Sequence, residues 1–275
     1  MKGGCLYNDL VKATDTVVAL TDEDANFPAE NAKTEEAALV ARTLLGYTTA
    51  IKFRISLVSP QSPRVFALVN HNLAAGTIDI NSYTANNFST GKVTIATLDV
   101  RELDICHYTL TPPAARNYWE FDFTNATAFT RGPFQEYFIE LGRAMLYSVC
   151  DADLSTIEDY KRTHAHEFSN IVNETPWGAR WVHNVESRRE RIKLTWSARL
   201  GMTIRDALRA LLALTDGDAR PFLLIPDLAL TECFYGYATE PSISWVESWI
   251  DYATENLALE MVTASRGLKK VNFYS

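Results

Sequence analysis

The 275-residue sequence has few cysteines and no long apolar run. Its four cysteines, Cys5, Cys106, Cys150 and Cys233, form no CxxC pair, which excludes a disulfide framework and a zinc-ribbon spacing. No stretch reaches the roughly 20 apolar residues needed to cross a bilayer, and residues 1–15 contain no apolar segment typical of a secretion signal. We therefore expect a cytosolic protein with mostly buried, free thiols and no membrane partner.

Positive charge is also in deficit. The chain has 26 Lys and Arg against 34 Asp and Glu, a formal net charge of -8. This charge balance disfavours a general phosphate-binding surface, so we expect no nucleic-acid partner. Hydrophobic residues make up 47% of the chain, which is enough for buried cores, and the length predicts two domains at roughly 100–200 residues each.

Motifs with a defined chemistry are missing as well. The sequence contains no GxSxG elbow, P-loop, GxGxxG after a strand, HExxH or EF-hand loop. We therefore predict that the protein is not an enzyme and has no catalytic residues, no cofactor and no metal site.

Alternation of apolar and polar residues predicts most strands of the first half. It is clearest at 47–57, whereas the continuous apolar run at 65–69 is typical of a buried central strand. Residues 135–149 suit a helix by composition, but their alternation favours a closing strand. The remaining predictions are strands at 16–20, 78–80, 93–95 and 119–123, a turn at 59–63 and a short helix after Thr34. Together they indicate an antiparallel sandwich over residues 1–150.

The second half follows an acidic candidate linker at 151–161. We predict strands at 192–196, 222–225, 233–237 and 257–263, together with an amphipathic helix that begins at Thr203 and ends at Asp216-Gly217. Periodicity does not decide between helix and strand for 243–252. The fold class is therefore mainly β, with a smaller β-rich domain and one packed helix after the sandwich.

Three places contain candidate binding residues. His71 and Asn72 follow an apolar strand and could line a ligand-binding edge, although turn capping is the favoured interpretation. Trp181 could be an exposed interface residue, but burial in a core is favoured. His164 and His166 would share a strand face toward a metal ion, yet no third ligand is evident and a solvated connector is favoured.

One further residue pair and one charged cluster have a structural interpretation. Cys106 and His107 are neighbours, and neighbours on a strand point to opposite sides, so they cannot form a thiolate–imidazole pair. The basic cluster at 187–191 is typical of a solvated strand edge, with a salt-bridged subunit contact as the functional alternative.

Several segments resemble a known group of proteins. The stretches FALVNHNLAAGTI at 66–78, YW at 118–119 and IELGR at 139–143 resemble minor structural proteins of tailed bacteriophages, which have a galactose-binding-like, discoidin-type jelly roll. The segments at 188–196 and 220–227 are similar to small β domains of phage tail-tip proteins.

This resemblance implies a galactose-binding-like sandwich at 1–150 and a tail-tip-like β domain at 151–275. It further implies a non-catalytic virion component of the tail tip or baseplate, synthesised in the host cytoplasm. Its partners would be other tail or baseplate proteins, in a homo-oligomer or a ring around a central hub. The alternatives are an adhesin that binds host-surface glycans through residues such as His71, Asn72 or Trp181, and a polysaccharide hydrolase with a carboxylate pair.

Overall fold

The computed structural model describes residues 4–35, 39–44, 46, 50–100, 104–128, 138–148, 152–153, 160–174, 180–196, 202–216, 219–226, 233–239 and 257–263. In chain order the elements are β1 Gly4–Leu6, β2 Val17–Leu20, a 3-10 helix Ala29–Lys33, β3 Ala41–Arg42, β4 Lys52–Gln61, β5 Val65–His71, β6 Leu73–Tyr83, β7 Val93–Asp99, β8 Ile105–Tyr108, β9 Arg116–Ala128, β10 Glu140–Tyr147, β11 Ala152–Asp153, β12 Tyr160–Glu174, β13 Arg180–Trp196, α1 Met202–Leu214, β14 Phe222–Ile225, β15 Phe234–Ala238 and β16 Leu257–Thr263.

Antiparallel pairing arranges these strands into three sheets. A five-stranded sheet has the order β2-β4-β9-β6-β7, a four-stranded sheet has the order β3-β10-β5-β8, and a seven-stranded sheet has the order β11-β1-β14-β15-β16-β13-β12. The predicted fold class is confirmed, because the chain is mainly β and the first two sheets form an antiparallel sandwich.

The first core lies between the five-stranded and four-stranded sheets. Alternate residues of β4 and β9 point into it, including Phe53, Ile55, Trp119 and Phe121, all at most 1% exposed. The ring centroids of Trp119 and Phe66 lie 5.5 Å apart. The predicted burial of Trp119 is therefore confirmed, and the period-two pattern follows from one wet and one dry sheet face.

Strand β5 is buried on both faces. Phe66 and Leu68 belong to the first core, whereas Val65, Ala67 and Val69 belong to a second core. The second core also contains residues of the seven-stranded sheet, namely Leu6, Leu223, Ile225 and Tyr235. The four-stranded sheet is thus a middle layer, which confirms the predicted central strand and explains its continuous apolar run.

A buried ion pair crosses the second interface. Arg143 of β10 is 2% exposed, and its Nη2 donates to Asp9 Oδ2 at 2.9 Å. Its guanidinium also donates to the Tyr235 hydroxyl. The other Asp9 oxygen accepts from the amides of Val11 at 2.9 Å and Leu146 at 3.0 Å. These partners compensate the high desolvation cost of two buried charges.

The chain's first strand lies in the seven-stranded sheet. In β1, Cys5 pairs with Leu224 of β14 on one side and with Ala152 of β11 on the other. The division at residue 150 stays a prediction. All the strands after residue 150 that the structure describes lie in the same sheet as β1.

Some element boundaries differ from the predictions. The short helix spans Ala29–Lys33. It therefore precedes Thr34, whereas the prediction placed it after Thr34. Strand β4 continues through the predicted turn to Gln61. Strands β1, β3 and β8 were not predicted, because segments of two to four residues are too short to show a period.

In the second half, β14, β15, β16 and the end of β13 match predicted strands, whereas β11, β12 and most of β13 were not predicted. Strands β14 and β16 have the predicted bounds, and α1 begins one residue before Thr203 and lies against β11. The solvated connector predicted at 164–167 is wrong, because this segment pairs with β13 inside β12. Both ends of the predicted linker also lie in strands. Cys150 and residues 243–252 lie outside the described residues.

No helix in the described ranges combines the length and apolar character needed to span a membrane.

We predict that Arg143→Met strongly destabilises the protein, because it leaves the Asp9 carboxylate buried without its cation. The expected loss in the free energy of unfolding is about 3–5 kcal/mol, measured by urea denaturation. Glu30→Gln is the control, because the Glu30 side chain is 59% exposed in its pair with Lys33, and its loss should cost less than about 1 kcal/mol. Equal losses for the two variants would show that the buried pair does not hold the layers together.

Gly76 gives a second prediction. It has φ +98°, and an added Cβ would lie 2.0 Å from the backbone oxygen of Asn125 in β9. Gly46 also has positive φ, +70°, but open space around it. Gly46→Ala should therefore cost only the left-handed strain of about 1–2 kcal/mol, whereas Gly76→Ala should lower the thermal midpoint much further. Similar midpoints would mean that β6 and β9 separate there without cost.

Candidate functional site

The outer face of the five-stranded sheet is polar, and strand register organises it into rows. The inward positions of β4 and β9 fill the first core, so the alternate positions point away from it. We call these outward side chains the polar sheet face. Across the paired strands they form three rows: Val17–Ser56–Tyr118–Tyr83, Ala19–Arg54–Glu120–Asn81–Thr94 and Lys52–Asp122–Asp79–Thr97.

Glu120 is the centre of this face. Although it points away from the core, it is 1% exposed. One carboxylate oxygen accepts from the Tyr83 hydroxyl at 2.6 Å and lies 3.5 Å from both Asn81 Nδ2 and Lys52 Nζ. The other accepts from Arg54 Nε at 3.0 Å. A buried carboxylate is tolerated only with such partners, so the network fixes the side chains that surround it.

Asp122 lies two residues further along β9. Lys52 Nζ is 3.1 Å from its Oδ2, and both the amide and the hydroxyl of Thr124 donate to its Oδ1. Burial raises the pKa of the Asp122 carboxyl, but the hydrogen bonds from Thr124 and the Lys52 ammonium outweigh it and hold the pKa below its usual range. Lys52 therefore bridges the carboxylates of Glu120 and Asp122.

An aromatic cluster borders the charged network. Phe88, in the loop between β6 and β7, has φ +51° and lies half-buried against the face. Its ring centroid is 5.4 Å from that of Tyr83 and 5.8 Å from that of Tyr118, and the Arg54 guanidinium lies 4.8 Å from it. Half-buried aromatic rings thus stand directly beside oriented hydrogen-bonding groups.

Both buried carboxylates of this face contact cations. A glycoside hydrolase needs one carboxylic acid kept protonated, with a raised pKa, beside an ionised carboxylate. Asp122 instead has a lowered pKa, and Arg54 and Lys52 both contact Glu120. Within the described ranges, no group of three or more His, Cys, Asp or Glu side chains is placed to hold a metal ion.

The predicted residues His71 and Asn72 lie elsewhere, at the end of β5. They are 3% and 7% exposed. The Asn72 amide donates to the Phe138 carbonyl at 2.8 Å and accepts from the Glu140 amide at 2.8 Å, while His71 Nδ1 accepts from the Leu73 amide at 3.3 Å. The His71 bond is local, as turn capping requires, whereas both Asn72 bonds join it to a segment that is remote in sequence. A ligand contact by either residue stays a prediction.

The other candidates are spread over two sheets. Trp181 lies in β13 opposite Asn173, in the seven-stranded sheet, so its backbone is not in the sheet of His71. Its role in ligand binding also stays a prediction. Cys106 and His107 are consecutive in β8; Cys106 lies in the second core, and burial lowers the pKa of His107.

The polar sheet face was not predicted as a site. Alternation did indicate a wet face for β4 and for β9, but it gives no information on which strands are neighbours. The pairing of Arg54 with Glu120 needs register, and the two residues are far apart in sequence.

We predict that Lys52→Met raises the pKa of Asp122, because the variant removes the closest ammonium group. A lowered pKa contributes stability at pH values above the unfolded pKa, and this contribution is lost as pH falls through the folded pKa. Acid unfolding of the variant should therefore begin at higher pH. Carboxyl NMR titration measures the pKa, and Lys12→Met, in the loop between β1 and β2, is the control. An unchanged Asp122 pKa would assign the shift to Thr124 alone.

Comparison with known proteins gives structural likenesses only. No family model matches the chain, and no curated protein matches it. A family 32 carbohydrate-binding module from C. perfringens NanJ, in complex with galactose, is similar over 52% of this chain and 98% of its own length, with 10% identity and a TM-score of 0.40. A chitosan-binding module from a Paenibacillus chitosanase/glucanase is similar over 51% and 99%, with 15% identity and a TM-score of 0.41.

An F5/8 type C domain of a Bacteroides fragilis protein is similar over 54% of this chain and 97% of its own length, with 14% identity and a TM-score of 0.39. The predicted galactose-binding-like, discoidin-type fold thus has neighbours of that kind over about half of the chain. At these identities and scores the likeness carries no argument about function. Nothing in these comparisons supports a tail or baseplate role, and that role and a virion location stay predictions.

Proposed function

We propose that this protein is a non-catalytic carbohydrate-binding protein and that the polar sheet face binds the sugar. The observation that carries the proposal is the position of Phe88 and Tyr118 beside Arg54, whose guanidinium is held by Glu120. A sugar ring has apolar C–H faces and hydroxyl edges. It is therefore complementary to a partly exposed aromatic surface next to oriented donors and acceptors.

Pre-orientation strengthens this argument. Glu120 and Asp122 hold Arg54 and Lys52 in place before any ligand arrives. Binding then costs less side-chain entropy than it would for free, flexible lysine and arginine side chains. Arg54 has a 36% exposed side chain, so part of its guanidinium remains available to a ligand.

Charge favours an uncharged sugar. The polar sheet face has two cations, Arg54 and Lys52, and three acidic residues, Glu120, Asp122 and Asp79. The whole chain has a net charge of -8. An anionic glycan would approach a surface with no excess positive charge. We therefore expect neutral sugars to bind and sulfated or sialylated ones to bind more weakly.

The test is isothermal titration calorimetry with galactose, fucose and chito-oligosaccharides, sugars chosen because several of the similar structures are named for them. Phe88→Ala should weaken binding about tenfold, since one aromatic contact is worth roughly 0.5–1.5 kcal/mol beyond its buried area. Phe88→Trp should restore it.

Leu110→Ala is the matched control, because Leu110 is an exposed apolar residue outside the polar sheet face. It should leave the affinity unchanged. The proposal fails if the wild-type protein binds none of these sugars, or if Phe88→Ala binds as tightly as wild type.

A further inference from the structure

The polar sheet face continues along β4 to a pocket. After Ser56 the next outward residue of β4 is Val58, which is 66% exposed, and Val17, opposite Ser56, is 61% exposed. Val58 also lines a pocket of about 240 Å³. We call it the β4-end pocket; the lining residues that bear on ligand binding are Asp9, Lys12, Leu57, Val58, Ser59 and Gln61.

The aromatic ring of Phe88 and the β4-end pocket are too far apart for one side chain or one sugar ring to contact both. Strands lie about 4.8 Å apart and rise about 3.3 Å per residue, so Val58 is on the order of 8 Å from Tyr118 across and along the sheet. Phe88 lies a further 5.8 Å from Tyr118, ring to ring. A ligand that contacts both Phe88 and the pocket must be longer than a single sugar ring.

The charges in the β4-end pocket are already compensated. The Asp9 carboxylate accepts from Arg143 and from two backbone amides. Lys12 Nζ lies 3.3 Å from Glu35 Oε1 and 3.6 Å from the Tyr7 ring centroid. The pocket therefore presents no excess charge to a ligand.

Neutral polar groups and an apolar wall remain. Gln61 Nε2 donates to Ser59 Oγ at 2.9 Å, which leaves the Ser59 hydroxyl proton and the Gln61 amide oxygen for a ligand. Leu57 and Val58 supply apolar surface. The volume is below the roughly 300 Å³ typical of the smallest drug-sized sites, so the pocket suits one ring-sized neutral unit.

We infer that the ligand is a neutral oligosaccharide, one unit of which stacks at Phe88 and Tyr118 while a unit further along occupies the β4-end pocket. This inference rests on the proposed function and adds ligand length to it. Each added sugar unit that reaches Val58 and the pocket gains contacts, and the translational and rotational entropy of binding is lost only once. The affinity should therefore rise with the length of the oligosaccharide.

The test compares galacto-oligosaccharides and N-acetylated chito-oligosaccharides, both neutral, of one to four units by calorimetry. For the wild type we expect affinity to rise at least tenfold from one unit to three. Ala13→Trp fills the pocket from an exposed loop position. It should remove this gain and leave the affinity for the single sugar unchanged. Ala210→Trp, on the exposed side of α1, is the control for surface tryptophan and should keep the gain.

The outcomes separate the two proposals. Wild-type affinity that is independent of length, or a length gain that survives Ala13→Trp, overturns the oligosaccharide inference and leaves the sheet-face proposal standing. Absence of binding at every length overturns both. Thermal unfolding of each variant confirms that a lost gain does not come from misfolding.

Discussion

The pair formed by Arg143 and Asp9 joins parts of the chain that no single sheet connects. Arg143 lies in the middle layer, and Asp9 lies in the loop that follows β1 of the seven-stranded sheet. Tyr235, which accepts from the same guanidinium, lies in β15 of that seven-stranded sheet. Apolar packing between layers is not directional, whereas this pair requires one relative position of the three elements. Because Asp9 also accepts from the Leu146 amide, the loop is fixed to β10 independently of the pair.

On the polar sheet face, burial and binding depend on the same charges. Glu120 can be buried only because Arg54, Lys52 and Tyr83 contact it, and those contacts fix the groups that we assign to ligand recognition. Stability and recognition therefore share one network here. A substitution inside it changes both, whereas Phe88, at the border, can be changed with less effect on the buried carboxylate.

The sequence was sufficient for features that depend on local pattern. Alternation in β4 and β9 and the apolar run of β5 predicted strand type and burial, since one-sided and two-sided burial leave different patterns. The sequence did not predict contacts between segments that are far apart along the chain. Asp9 and Arg143 meet across 134 positions, and Arg54 and Glu120 across 66. Segments as short as Ala41–Arg42 owe their conformation to a neighbouring strand and show no pattern of their own.

The place of β1 has a consequence for the order in which the protein folds. Cys5 emerges from the ribosome long before its partner Leu224. The seven-stranded sheet cannot close during synthesis of the first half, and closing it brings together residues separated by most of the chain. The two-sheet sandwich can form earlier, with the outer side of β5 exposed until β14 arrives. During that interval the growing chain presents an apolar sheet face, a target for chaperones and for aggregation.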